Sequence, residues 1–359
     1  MTTVLIMAGG TGGHVFPALA VARVLERSGC RLAWLGTRKG IEARLVPDAG
    51  IPMEWVHVSG LRGKGFASWL GAPFRLARAL GESLAVMRRV RPDVVLGLGG
   101  FVAGPGGLAA RLMGIPLVIH EQNAVAGFTN RVLSRLATVV AEAFPGAFPQ
   151  RVGALSVGNP VRREIAAIGV ERAEPHSPPR LLVFGGSQGA LILNRIVPKA
   201  LAELSPAQRP IVRHQTGRGR LDAVRAAYAA LGIDADVCEF IDDMAAAYAW
   251  ADFAITRSGA LTVAELAAAG LPAILVPFPS AVDDHQTVNA RYLSERNAAV
   301  LLPESELTPV RLKAILESFV SEGGSALAQM SRAALSAAKV GTDEVLADVC
   351  LKQAARSAS

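Results

Sequence analysis

The chain is 359 residues long, room for about two domains, and 51% hydrophobic, which excludes a disordered protein. Aromatic residues make up only 5%, so the apolar mass is Ala, Val and Leu, a composition suited to helices packed on buried parallel strands. A net charge of +7 points to anionic partners: phosphates, a membrane surface or nucleic acid.

Residues 4–8 read as a short buried strand with no basic segment ahead of it, so no signal peptide is expected. Gly9-Gly10-Thr11-Gly12-Gly13 follows, then an Ala/Leu/Val-rich helical pattern over 14–28. A glycine-rich turn between strand and helix lets backbone N–H groups close around an anion beside the positive end of the helix. Thr11 either lends a hydroxyl to a phosphate or caps the helix, and the two roles are compatible. His14, one residue past the loop, is either structural or a general base beside bound phosphate. The remaining histidines (His57, His120, His176, His214 and His285) lack metal-ligand spacing, and Cys30, Cys238 and Cys350 show no CxxC pairing. Further strands are expected over 31–35, 94–98 and 117–120. Residues 61–91 interleave Arg62, Lys64, Arg75, Arg78, Arg88, Arg89 and Arg91 with Phe66, Trp69, Leu70, Phe74, Leu80 and Leu84. This stretch suits either the lipid headgroup plane or an ordinary helix packed on a sheet. The uncharged run 94–110 is too short, and too interrupted by glycine, for a membrane span.

The same grammar returns downstream: a strand over 181–184, the loop Gly185-Gly186-Ser187-Gln188-Gly189, and a helix from 190. Gly9, Gly10, Thr11 and Gly13 register on Gly185, Gly186, Ser187 and Gly189, which predicts two domains of one design. The crossover is expected near 158–162 and a proline-rich linker over 167–180. Strands are expected over 237–240, 253–256 and 273–276. Asp234-Ala235-Asp236 has DxD spacing, common by chance and without a third carboxylate beside it, so no metal is expected there. Arg257-Ser258-Gly259 opens another helix, whose N–H groups from Ala260 to Val263 are expected to face a ligand. Glu265 is expected in its first turn, either as a carboxylate favoured by the dipole or as an acceptor for both hydroxyls of a ribose. No window reads GxGxxG, because Val15 stands where the third glycine belongs, and Gly63-Lys64 is followed by Gly65 rather than Ser or Thr. A dinucleotide oxidoreductase and a P-loop NTPase are therefore disfavoured.

GGTGGHVFPAL from Gly9, GGFVAGPGG from Gly99, HEQNAVAG from His120, GNPVR from Gly158, GGSQGA from Gly185, RSGALTVAE from Arg257 and DDHQTVNA from Asp283 resemble, in order and spacing, the MurG family. These are the UDP-N-acetylglucosamine (UDP-GlcNAc) transferases of peptidoglycan synthesis. The resemblance implies a glycosyltransferase B fold, an α/β fold of two Rossmann-like domains with parallel sheets facing a cleft. It divides the chain into an N-terminal acceptor and membrane-facing domain over 1–161, a UDP-GlcNAc-binding domain over 162–335, and a helical tail over 336–359 returning to the first domain. The implied reaction is inverting transfer of GlcNAc to the C4 hydroxyl of MurNAc in undecaprenyl-pyrophosphoryl-MurNAc-pentapeptide (lipid I), giving lipid II. It needs no cofactor, and the enzyme would work peripherally on the cytoplasmic side of the bacterial inner membrane, against an anionic surface and with no nucleic acid.

By resemblance, Ser187 touches the donor diphosphate, Ile241 meets uracil through its backbone, and Arg162 sits at the hinge near the base. Ala260, Leu261, Thr262, Val263 and Ala264 face the diphosphate, Glu265 the ribose and Gln286 the GlcNAc hydroxyls. Thr11, Gly12, Gly13 and Asn123 close on the sugar and the reaction centre, with His14 as the base. Several relatives have two adjacent glutamines where this chain has His285-Gln286; Gln286 keeps its place beside the TVNA segment, and the resemblance assigns His285 no role. A UDP-GlcNAc 2-epimerase on the same fold, and a nucleotide-sugar-binding scaffold without catalysis, are the alternatives.

Overall fold

The computed structural model describes residues 1–58, 72–186, 189–320 and 324–358. Of the expected site and docking residues, Ser187, Arg62, Lys64, Phe66, Trp69 and Leu70 lie outside these. The chain forms two compact units, Met1–Pro160 with Gly341–Ser359, and Val161–Val340.

Among the described residues, seven parallel strands build the first unit: β1 (Thr3–Ala8), β2 (Arg31–Gly36), β3 (Met53–Trp55), β4 (Val94–Gly99), β5 (Leu117–Glu121), β6 (Val139–Glu142) and β7 (Leu155–Ser156). Their order is β3-β2-β1-β4-β5-β6-β7. Around them lie α1 (Gly12–Arg27), α2 (Glu42–Asp48), α3 (Ala72–Val90), α4 (Ala103–Leu112), α5 (Phe128–Leu133) and the C-terminal helix (Thr342–Ala358). Every residue of β1 is buried, and its two-residue period feeds two cores. Val4, Ile6 and Ala8 pack with Val15, Leu19 and Leu25 of α1 and with Leu346 and Cys350 of the C-terminal helix. Leu5 and Met7 pack on the other face with Val86 and Met87 of α3 and Ala109 of α4. Thr342 Oγ1 donates to the Val157 carbonyl at 2.8 Å and anchors the start of the C-terminal helix.

The second unit repeats the design with β8 (Arg180–Phe184), β9 (Ile211–Gln215), β10 (Ala235–Cys238), β11 (Phe253–Thr256), β12 (Ala273–Leu275) and β13 (Ala299–Leu301), again all parallel, in the order β10-β9-β8-β11-β12-β13. Its helices are α6 (Arg163–Val170), α7 (Leu191–Ala202), α8 (Leu221–Ala230), α9 (Met244–Trp250), α10 (Ala260–Ala268), α11 (His285–Ser294), α12 (Pro309–Val320) and α13 (Ser325–Ala337).

Four differences from the sequence expectations have local causes. The strand expected over 237–240 ends at Cys238, because it is the sheet edge and Phe240 is exposed beyond it. β9 escapes a hydropathy reading because it buries His214 and Gln215 inside the sheet, between β10 and β8. The segment expected as a linker is held down: residues 167–170 complete α6, and Arg172 donates to the carbonyls of Tyr248 and Ala251 at the end of α9 and of Ala269 at the end of α10. A half-buried guanidinium thus satisfies helix-end carbonyls that otherwise lack partners. Ser336 and Ala337, placed in the tail by sequence, finish α13 and belong to the second unit.

In each sheet the winding reverses once, between β1 and β4 and between β8 and β11. At such a switch point the loops leaving adjacent strands diverge and open a crevice at the strand ends, where α/β folds bind ligands. The loops there are 9–11 and 100–102 in the first unit, and in the second the described residues that follow β8 and the loop 257–259.

Candidate functional site

In the first unit the glycine loop is held from beneath by a residue that sequence reasoning missed. Glu42, fully buried, accepts from Gly10 N at 2.9 Å, Thr37 N at 3.0 Å and Thr37 Oγ1 at 2.8 Å. Three donors compensate the dehydration of its carboxylate, which sequence pattern alone shows only as a polar residue opening a helix. Thr11 is the N-cap of α1, but its side chain makes no capping hydrogen bond and is exposed. Of its two expected roles, the side-chain cap is not made. Gly12 and Gly13 form the first turn, whose N–H groups a helix cannot pair internally.

His14 follows in that turn, with Nδ1 2.8 Å from Gln122 Oε1. Gly99, at φ +102°, makes room for the ring: a Cβ there would lie 2.9 Å from His14 Nδ1. Behind Gln122, its Nε2 lies 3.0 Å from both His120 Nδ1 and the His120 carbonyl, and His120 Nε2 lies 2.8 Å from the Gly158 carbonyl. Asn159 Nδ2 donates to the Gln122 carbonyl at 3.0 Å. The next residue, Asn123, is half-buried and donates through N and Nδ2 to Glu121 Oε1, while Glu121 Oε2 accepts from Gly127 N and Asn130 Nδ2. The segment 120–123 at the end of β5 is therefore rigidly tied, with His14 attached to it. Gln122 was inside a motif that the sequence displayed, yet nothing one-dimensional pairs it with a residue 108 positions away.

In the second unit α10 starts at Ala260 with Gly259 as its extended N-cap. Leu261, Thr262 and Ala264 are partly exposed, while Ala260 and Val263 are buried. Val263 N donates to the Gly259 carbonyl at 2.9 Å, so the expected run of ligand-facing N–H groups ends one residue earlier. Glu265 is not in the first turn but in the second, because the helix begins only at Ala260; it faces the interior at 5% exposure. Its Oε1 accepts from Arg162 at 3.0 Å and its Oε2 from Tyr248 Oη at 3.2 Å. Burial pushes this carboxyl above its ordinary pKa, opposed by the Arg162 charge. Gln286 in the first turn of α11 accepts at Oε1 from Phe278 N at 2.8 Å, and its carbonyl accepts from Ser258 Oγ at 2.8 Å. The loop after β11 and the start of α11 are thus stitched together. His285 Nδ1 donates to the Val282 carbonyl at 2.7 Å, a local turn contact. Ile241 is half-buried, three residues beyond β10. Asp236 of the DxD triplet is taken by Arg213 Nε at 2.9 Å, and among the described residues no three metal-ligating side chains converge.

The Glycosyltransferase family 28 N-terminal domain model matches residues 4–142, and the Glycosyltransferase family 28 C-terminal domain model matches residues 180–345. A protein of Methylococcus capsulatus named UDP-N-acetylglucosamine--N-acetylmuramyl-(pentapeptide) pyrophosphoryl-undecaprenol N-acetylglucosamine transferase is 54% identical over 355 residues, 98% of each chain. A protein of the same name from Alkalilimnicola ehrlichii is 55% identical over 98% of this chain and 99% of its own. The crystal structure of Acinetobacter baumannii MurG aligns with a TM-score of 0.84 at 41% identity, over 98% of this chain and all of that one. A UDP-GlcNAc 2-epimerase from Neisseria meningitidis, at 12% identity and TM-score 0.65 over 98% of this chain and 100% of its own, shares the fold alone.

Each unit encloses one histidine whose pKa burial depresses, His120 to about 4 and His214 to about 3. Below the unfolded value near 6.5 the unfolded chain binds a proton that the folded unit refuses, so stability is present above that pH and is lost as pH falls. The loss is about 1.4 kcal/mol per pH unit for each ring, or about 2 kcal/mol by pH 5. Urea unfolding at pH 7.5 and pH 5 will show this decrease in the second unit, and His214→Gln will remove most of it. An unaltered pH slope in the variant would assign the loss to other groups.

Proposed function

The chain belongs to glycosyltransferase family 28, and we infer that it transfers GlcNAc from UDP-GlcNAc to the C4 hydroxyl of MurNAc in lipid I, forming lipid II for peptidoglycan. The observation that carries this is the 54–55% identity to transferases of that name over 98% of the chain. The reaction forms a bond from the acceptor oxygen to the anomeric carbon with inversion, breaks the bond to UDP and moves the acceptor's proton to a base. His14, held in the first turn of α1 by Gln122, is that base in this reading. The positive ends of α7 and α10 stabilise the departing diphosphate, with Ser187 and the Ala260–Ala264 turn around it. Gln286 faces the GlcNAc hydroxyls and Ile241 the uracil; Thr11, Gly12, Gly13 and Asn123 complete the sugar site. The test is incubation with radiolabelled UDP-GlcNAc and a short-chain lipid I analogue. A disaccharide-linked lipid is expected; ManNAc without it would favour the epimerase. His14→Ala is expected to lower turnover at least ~100-fold with melting within a few degrees of wild type. A matching loss of stability would make His14 structural.

Glu265 already holds Arg162 and Tyr248, and its remaining lone pairs suit a ribose diol. Glu265→Ala is expected to weaken UDP-GlcNAc binding by about 1.5–3 kcal/mol, and a 2′-deoxyuridine donor by much less. Calorimetry with both donors separates a ribose contact from a general disturbance of the Arg162 cluster. Equal losses for both would deny the contact.

We further propose that the first unit docks on the anionic inner membrane through residues 61–91, without spanning it. Among the described residues no helix is long and apolar enough to cross a membrane. In favour stands α3, where Phe74 is 81% exposed and Leu76 52%, beside Arg75 and Arg78. Arg78 pairs with Glu82 and Arg89 with Glu54, so part of the basic charge is already matched. Each cation at the surface contributes about 1 kcal/mol. An Arg75→Glu, Arg78→Glu, Arg88→Glu triple variant is expected to lose most co-sedimentation with anionic vesicles. Binding indifferent to these changes and to salt would sink the placement.

A further inference from the structure

The direction of each hydrogen bond behind His14 leads to one more assignment, which rests on His14 being the base. The deepest partner fixes the rest. A carbonyl only accepts, so the contact between the Gly158 oxygen and His120 Nε2 places a proton on that nitrogen. The His120 ring is completely enclosed and burial holds its pKa near 4, so at neutral pH its Nδ1 carries a lone pair. That lone pair and the His120 carbonyl, each 3.0 Å from Gln122 Nε2, are two acceptors for the two N–H bonds of the amide. Turning the amide over would aim its oxygen at both of them. Oε1 therefore stays toward His14 and accepts from Nδ1 at 2.8 Å. The backbone of Gln122 is itself pinned by Asn159, and Gly99 leaves the imidazole no Cβ to evade.

We propose that Gln122, and His120 through it, are positioning residues that hold His14 as the Nδ1–H tautomer and leave Nε2 as the one nitrogen able to take the acceptor's proton. Hydrolase triads achieve the same tautomer with a carboxylate. Here a neutral amide does so, adding no negative charge beside a site that must stabilise a diphosphate. A free histidine side chain favours the opposite tautomer, which would direct the base at Gln122 rather than at substrate; the second nitrogen's partner decides between them.

The tautomer is directly observable by nitrogen-15 NMR of the full chain labelled in its histidine rings, with His14 assigned from the His14→Ala spectrum. In the wild type at neutral pH, His14 is expected to show a protonated Nδ1 and an unprotonated Nε2, and His120 the reverse. Gln122→Met is expected to shift His14 to the Nε2–H form and to lower kcat roughly 10- to 100-fold, with KM for UDP-GlcNAc within about twofold. Gln122→Glu keeps an oxygen facing Nδ1 and should recover the tautomer, but its second oxygen meets the two His120 acceptors that Nε2 served, so turnover should return only in part. A wild-type His14 protonated on Nε2 would overturn the assignment even if Gln122→Met does not fold. So would a folded Gln122→Met of normal kcat while His14→Ala is inactive. Full activity in His14→Ala would instead remove the base itself, and the positioning role with it, whatever tautomer the spectra report.

Discussion

A parallel sheet covered by helices on both faces has no wet surface for polar chemistry except the ends of its strands. The strands β1, β4, β8 and β11 at the centre of the two sheets are buried almost throughout, so each chain segment becomes polar only as it leaves the sheet. The loops that carry the glycines, His14 and the Ala260–Ala264 turn all follow from this constraint. Reversal of the winding beside β1 and β8 then decides which of the many loops diverge enough to admit a ligand.

Loops of glycine have little intrinsic shape, and here buried polar side chains supply it. Glu42 beneath the first loop, Glu121 beneath the segment 122–127 and Gln122 behind His14 are each at most 3% exposed, and each takes several hydrogen bonds. An enclosed carboxylate without those donors would cost several kcal/mol, so loop and side chain impose their geometry on each other. Such mutual fixing is what a reaction sensitive to a misplacement of about 1 Å requires.

The second unit uses a comparable device with charge. Glu265 is buried against Arg162 and Tyr248, joining α10 to the first residues of the unit. Nearby, Asp283 and Asp284 both adopt left-handed backbone at φ 53° and 49°, which costs about 1–2 kcal/mol per residue. The turn persists because Thr287 bonds Asp284, and Gln286 is tied to Phe278. Strain of this kind collects where side chains must be aimed rather than merely packed.

The class of fold, the duplication and the loops were legible along the chain, because buried parallel strands and anion-binding turns both depend on local pattern: apolar runs closed by glycine. The sequence also displayed His14, Glu265 and Gln286 in motifs whose order is specific to one family. Polar strands such as β9 were illegible, since hydropathy treats His214 and Gln215 as surface, whereas enclosed hydrogen bonds to Tyr228 and Asn194 satisfy that histidine. The same limit hid Glu42 and Gln122. Gly10, which Glu42 holds, and His14, which Gln122 holds, stand 32 and 108 residues away, and only the sheet order that brings β2, β1, β4 and β5 side by side sets those atoms within hydrogen-bonding distance. Which nitrogen of His14 carries its proton is a property of that three-dimensional chain of donors and acceptors, and no pattern along the sequence encodes it.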